Sequence, residues 1–212
     1  MNARRNLDSV EAMKRFPGRR EILATLGSLL VSAVALPGCR PGAAPFNNVD
    51  ITGAPYAQNF SLTDASGARR TLADFRGKVV VVFFGYTQCP DICPTTMSDL
   101  ANVKQTLGPA GAALQVIFIT LDPERDTRQV LAEYVGHFDP DFVALSGTAD
   151  ETAQTAREFK VFYQKVPGKT PTSYSLDHTA GSFVFDKDGK IRLFLKHGGD
   201  VAPIVADLKR LV

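Results

Sequence analysis

The hydrophobic positions of this chain change period along its length, and each change marks an element. Residues 78–85 (Lys78-Val79-Val80-Val81-Val82-Phe83-Phe84-Gly85) form a continuous apolar run of strand length, the pattern of a strand buried on both faces. Pro94 suits a first helical turn, and Met97, Leu100, Val103 and Leu107 then recur at helical spacing until Gly108 stops them. Residues 114–121 read as a second buried strand, and 127–138 as a second helix with Val130, Leu131 and Tyr134 inward. Residues 142–145 predict a short strand and 150–161 a third helix capped by Asp150. Two alternating runs, 182–185 and 190–195, flank Asp186-Lys187-Asp188-Gly189, a hairpin signal. The chain closes on a helix with Val201, Ile204, Val205, Leu208 and Leu211 on one face.

Strand–helix–strand–helix followed by a hairpin and a terminal helix is the order of an α/β, thioredoxin-like domain, a central sheet flanked by helices. Here an extra strand–helix unit is inserted between its halves. The pattern assigns this domain to residues 59–212. Residues 39–58 are rich in Pro, Gly, Ala and Asn, show no period, and read as a linker.

Residues 1–38 are of another kind. Arg19-Arg20 precedes a 15-residue apolar stretch from Ile22 to Leu36, followed by small residues, the layout of an export signal. The paired arginines resemble a twin-arginine signal, with a Sec signal as the alternative. Leu36-Pro37-Gly38-Cys39 resembles a bacterial lipoprotein cleavage box, which implies a lipid on Cys39; the alternative is an uncleaved N-terminal anchor. Either reading expects the body to be exported and tethered outside the cytoplasm, on the periplasmic face of a bacterial inner membrane.

Composition narrows the field. Hydrophobic residues at 44% and charged residues at 22% are ordinary for a globular protein, and no apolar run reaches the roughly 18 residues of a confident membrane span. Of 24 basic and 22 acidic residues, six and three lie within 1–38, so the remaining 174 residues hold 18 basic and 19 acidic groups. A near-neutral body provides no electrostatic reason to expect nucleic-acid binding.

Chemistry collects where the first strand ends. Gly85-Tyr86-Thr87-Gln88-Cys89-Pro90-Asp91-Ile92-Cys93-Pro94 follows it directly, and ligands in open α/β sheets bind at the carboxyl ends of strands. A helix N-terminus offers unpaired N–H groups and partial positive charge, so the thiol pKa values here should lie below the roughly 8.5 of a free cysteine. Three residues separate Cys89 from Cys93, one more than in the thioredoxin redox motif. A tight loop entering a helix brings both sulfurs to one side, near enough to bridge or to share a soft metal, Cu(I) above all. Two sulfurs alone leave redox work, metal work and a structural disulfide open.

Three histidines remain to be placed. His137 at a helix end reads as a cap for free carbonyls, and His197 before Gly198-Gly199 as a solvated loop residue. His178 ends a Pro/Gly/Ser/Thr-rich stretch, 167–177, read as a long loop that lies beside the redox motif in this fold; a structural and a ligand role are evenly balanced on position alone. Mobility of that loop would let metal enter and leave. Asp122, Glu124 and Asp126 follow the second strand, with capping of the next helix as the simple reading and support of the site or partner docking as the other. Asp91 either tunes the thiols or faces solvent.

Taken together the motifs are recognisable. Gly85-Tyr86-Thr87 with Cys89-Pro90-Asp91-Ile92-Cys93-Pro94 resembles the signature of the Sco/SenC family of copper-binding assembly proteins, and Leu121-Asp122-Pro123-Glu124-Arg125-Asp126-Thr127 and Asp177-His178-Thr179 resemble its two other marked stretches. The similarity runs in order over residues 55–212; Arg128 departs from it, where many relatives have proline. The resemblance implies a membrane-tethered domain that binds copper through Cys89, Cys93 and His178. It implies further that the domain helps to mature the copper centre of cytochrome c oxidase, with that enzyme's copper-binding subunit and a second copper chaperone as partners. The alternative is a thiol–disulfide oxidoreductase in which Cys89 and Cys93 reduce the subunit's copper-ligand cysteines. A peroxidase using the same two thiols, and a binding module with idle cysteines, are the remaining classes.

Overall fold

The computed structural model describes residues 44–170 and 173–212. In chain order these form β1 (Val49–Asp50), β2 (Ser61–Asp64), β3 (Arg69–Thr71), β4 (Val79–Gly85), α1 (Ile92–Thr106), β5 (Leu114–Thr120), α2 (Arg128–Gly136), β6 (Val143–Ser146), α3 (Ala149–Glu158), β7 (Tyr163–Pro167), β8 (Tyr174–His178), β9 (Gly181–Phe185), β10 (Ile191–Lys196) and α4 (Val201–Leu208). The two unbroken apolar runs are the centre of the sheet. Every residue of β4 and β5 is buried, and the strands pair in parallel from Val79 opposite Leu114 to Gly85 opposite Thr120, with α1 as the crossover. Burial of each such Val, Ile or Phe side chain stabilises the fold by roughly 1.5–3 kcal/mol, which is why β-branched and aromatic residues fill both faces.

One sheet carries the order β1-β10-β9-β4-β5-β6-β2-β3. β9 and β10 form the expected hairpin, β9 runs antiparallel to β4, and α4 packs against α1. This is the thioredoxin-like topology. The inserted unit is β6–α3, which extends the sheet in parallel beyond β5.

Three local readings change. α2 begins at Arg128, so Leu131 and Val135 point inward while Val130 is 39% exposed. α3 is capped by Thr148, whose hydroxyl accepts from Glu151 N as the Glu151 carboxylate accepts from Thr148 N, a reciprocal box that places Asp150 inside the first turn. The 167–177 stretch, expected as one long loop, is largely strand: Pro167 ends β7 and residues 174–177 belong to β8, which pair as an antiparallel ribbon, a separate two-stranded sheet in which Tyr163 opposes His178. Short ribbons built from Tyr, Val and polar residues carry little hydrophobic periodicity, which hides them from pattern reading.

The folded unit starts at Pro45. β1 joins the sheet edge beside β10, and the buried Asp207 accepts from the backbone and side-chain N–H groups of both Asn47 and Asn48 at 2.8–3.0 Å. Residues 45–58, read above as linker, are held by these polar pairs and by Phe46, Ile51, Tyr56 and the buried Ala57 packed on the core, at positions with no regular period to betray them. The export segment and Cys39 lie outside the described residues. No helix among the described residues is long and apolar enough to cross a membrane.

Candidate metal centre

The site is built on the carboxyl end of β4. Gly85 ends the strand, Tyr86 is buried, and a turn closes with Cys89 N donating to Tyr86 O at 3.2 Å. Between them Thr87 is held by Asp126, which accepts from Thr87 N at 3.1 Å and Thr87 Oγ1 at 2.6 Å, and also from Thr120 Oγ1 at 2.6 Å. α1 then starts so that Cys93 sits in its first turn, buried, with its backbone N–H donating to Cys89 Sγ at 3.4 Å.

This geometry separates the two thiols. Cys89 is half-buried and its pKa falls to about 5, chiefly because Cys93 donates a side-chain hydrogen bond to it, with backbone N–H groups at the helix start adding to the effect. Cys93 instead shifts upward, against the expectation that both thiols would fall below the free value, because the same hydrogen bond holds its proton and burial disfavours its charge. Among the described residues both cysteines are free thiols.

His178 arrives from β8, 85 positions after Cys93, with Nε2 at 3.6 Å from Cys93 Sγ. Its Nδ1 lies 3.0 Å from the carbonyl of Thr179. A carbonyl only accepts, so Nδ1 of the neutral ring carries the proton and Nε2 presents its lone pair to the sulfurs, the orientation found in metal-ligating histidines. Phe83 and Tyr86 meet the ring edge-on at 6.2 and 6.1 Å between centroids. One ligand atom from each of Cys89, Cys93 and His178 lies within 4.8 Å of the others.

The other candidates are placed elsewhere. His137 Nδ1 meets the Glu133 carbonyl, which also accepts from His137 N at 3.2 Å, at the end of α2. His197 is not solvated but half-buried, with Nδ1 at 2.9 Å from Thr96 Oγ1. Asp91 is exposed. The three acids after β5 do not cap α2, whose cap is Thr127: Asp126 holds the cysteine loop, Asp122 is buried and accepts from Tyr174 Oη at 2.8 Å, and exposed Glu124 pairs with Lys165. Arg125 and Tyr174 had no assigned role in the sequence. Arg125 stood inside a marked motif, whereas Tyr174 lay in a stretch read as loop and carried no signal.

A protein-family model described as SCO1/SenC matches residues 49–212. The chain belongs to the SCO1/SenC family. Among its SCO1/SenC relatives, the bovine protein described as "Protein SCO2 homolog, mitochondrial" is 36% identical over 154 residues, 72% of this chain but 58% of the bovine one. The chain thus spans little more than half of that relative. Two solved SCO1/SenC structures resemble it closely. Bradyrhizobium japonicum ScoI with copper bound is 37% identical with a TM-score of 0.67, covering 73% of this chain and 98% of that one. Yeast Sco1 with copper bound is 30% identical with a TM-score of 0.65, covering 78% and 88%.

Proposed function

We propose that this chain is a copper metallochaperone, with Cys89, Cys93 and His178 as its ligands and Cu(I) or Cu(II) as the cargo. The observation that carries this reading is the convergence of two sulfurs and one imidazole nitrogen within 4.8 Å, with the ring's Nδ1 turned to the Thr179 carbonyl. Thiolates favour Cu(I), and imidazole extends the set to Cu(II). Zinc also accepts a Cys₂His set, so donor type alone does not select the metal; the copper-bound relatives do. Half-exposure of Cys89 and His178 leaves a side from which ligands of an acceptor protein can enter.

In this reading the acceptor is the copper-binding subunit of cytochrome c oxidase, metal can come from another copper chaperone, and the domain works at the periplasmic face of a bacterial inner membrane. Its tether there is the N-terminal segment, by lipid at Cys39 or as an uncleaved anchor. The test is reconstitution of the full chain: one copper per chain is expected, with His178→Ala sharply weakening Cu(II) binding. Full affinity of that variant for both oxidation states would remove His178 from the site.

The low pKa of Cys89 favours a second reading, thiol–disulfide reductase. Cys89 thiolate would attack a target disulfide, forming a mixed disulfide and releasing one target thiol. Cys93 would then displace the second, leaving a Cys89–Cys93 disulfide and two electrons on the target. This chemistry needs no His178, so full rescue of oxidase activity by His178→Ala in cells lacking the protein would favour it over metal carriage.

A further inference from the structure

Tyr174, Leu176 and His178 alternate along β8 with exposed Ser175 and Asp177, so the three share one face. All three face the framework around the cysteines. His178 addresses Cys93, the Leu176 side chain is buried in the core, and the Tyr174 ring centre lies 3.6 Å from the guanidinium carbon of Arg125. Arg125 Nη1 donates to the Tyr174 carbonyl at 3.0 Å and to Gln88 Oε1, next to Cys89, also at 3.0 Å. Arg125 Nε is bound to Asp122, the carboxylate that also takes the Tyr174 hydroxyl. One guanidinium therefore touches both halves of the triad's support, and neither half contains it.

The ribbon needs such a clasp. Among the described residues β7–β8 forms no ladder with the main sheet, and its base is closed by Thr179 N donating to Phe162 O and Phe162 N to Thr179 Oγ1. Besides Arg125, it is tied to the body by buried Leu176, whose N–H donates to the Tyr86 hydroxyl, and by the exposed Lys165–Glu124 pair. His178 adjoins that base, so swinging the ribbon moves it little. Rolling β8 about its own axis is different: because Tyr174 and His178 share a face, the roll that lifts the tyrosine from Arg125 turns Nε2 away from the sulfurs.

We propose that Arg125 and Tyr174 are positioning residues that set the aim of His178, so that retention of Cu(II), which draws on the imidazole, depends on this clasp, whereas retention of Cu(I) by two sulfurs does not. The inference rests on the copper reading given above. Its test uses the full chain as wild type, Tyr174→Ala, Arg125→Met and Tyr174→Phe, the last keeping the stacked ring and losing only the Asp122 bond. Measured are Cu(II) release to a chelator, the nitrogen splitting in the Cu(II) EPR spectrum, Cu(I) affinity by competition, and amide exchange of β8 in metal-free protein.

Tyr174→Ala and Arg125→Met should release Cu(II) about 10–100-fold faster, with weakened nitrogen splitting, faster β8 exchange and Cu(I) affinity within about threefold of wild type. Tyr174→Phe, which preserves the core of the clasp, should fall between and stands in for either variant that fails to fold. Cu(II) release at the wild-type rate, with or without faster β8 exchange, overturns the clasp, as does an equal loss of both copper states. Wild type that binds neither copper state overturns the copper reading itself, a result distinct from wild type and variants holding Cu(II) alike.

Discussion

A Cβ atom on Gly85 would stand 2.8 Å from Cys93 Sγ and 2.9 Å from the Phe118 ring. The last residue of β4 is therefore the floor on which the buried sulfur rests, and only hydrogen leaves room for it. Gly85→Ala should displace the sulfur, lower stability by about 1–3 kcal/mol, as overpacking does, and reduce bound Cu(I) well below one per chain. Denaturant unfolding and copper titration check this; an unchanged stoichiometry would show that the sulfur has slack.

Cys89 should alkylate in its thiolate form far into the acid range. With its pKa at about 5, iodoacetamide labelling of reduced, metal-free protein should be half-maximal near that pH, instead of near the roughly 8.5 of a free thiol. Cys93→Ala removes the S–H that stabilises the thiolate and should raise the midpoint. A midpoint that stays put in that variant would assign the shift to the helix terminus alone.

Asp126→Asn exchanges a carboxylate that accepts from Thr87 and Thr120 for a group that must also donate. Mispairing one buried donor costs about 1–3 kcal/mol, and here the penalty falls on the loop that aims Cys89. The variant should unfold at lower denaturant and lose copper faster than wild type. Loss of stability with unaltered copper release would make Asp126 a structural residue only.

The four N–H groups bound to Asp207 hold its pKa below the ordinary carboxylate value. A depressed folded-state pKa contributes stability that is complete above the unfolded value of about 4 and disappears as pH falls through the lower folded value. Asp207→Ala should cost on the order of 3 kcal/mol at pH 7 and flatten the acid limb of the stability curve below pH 4. It should also speed proteolysis within 45–58, read by limited digestion; full protection of that segment would mean that β1 pairing alone secures it.

Much of the framework was legible in sequence, because β4, β5 and the β9–β10 hairpin are written in strong hydrophobic patterns and turn residues. The phase of α2 slipped by one position because Val130 and Leu131 are equally apolar, and only the start at Arg128 decides which is inward. Asp122 and Asp126 were visible as acids after a strand, yet not as clamps, since their partners Tyr174 and Thr87 lie 52 and 39 positions away.

By itself the sequence determined the α/β order, the cysteine pair at a helix start and a lowered Cys89, products of short-range spacing and local electrostatics, but not that burial and the bond to Cys89 raise Cys93. The resemblance implied His178, but only the tertiary structure shows its ring beside the sulfurs, puts residues 45–58 in the folded unit, and has Arg125 tie the β7–β8 ribbon to the cysteine loop. These are pairings across tens to more than a hundred positions, made by hydrogen bonds and a stacked cation that leave no periodic trace in the chain.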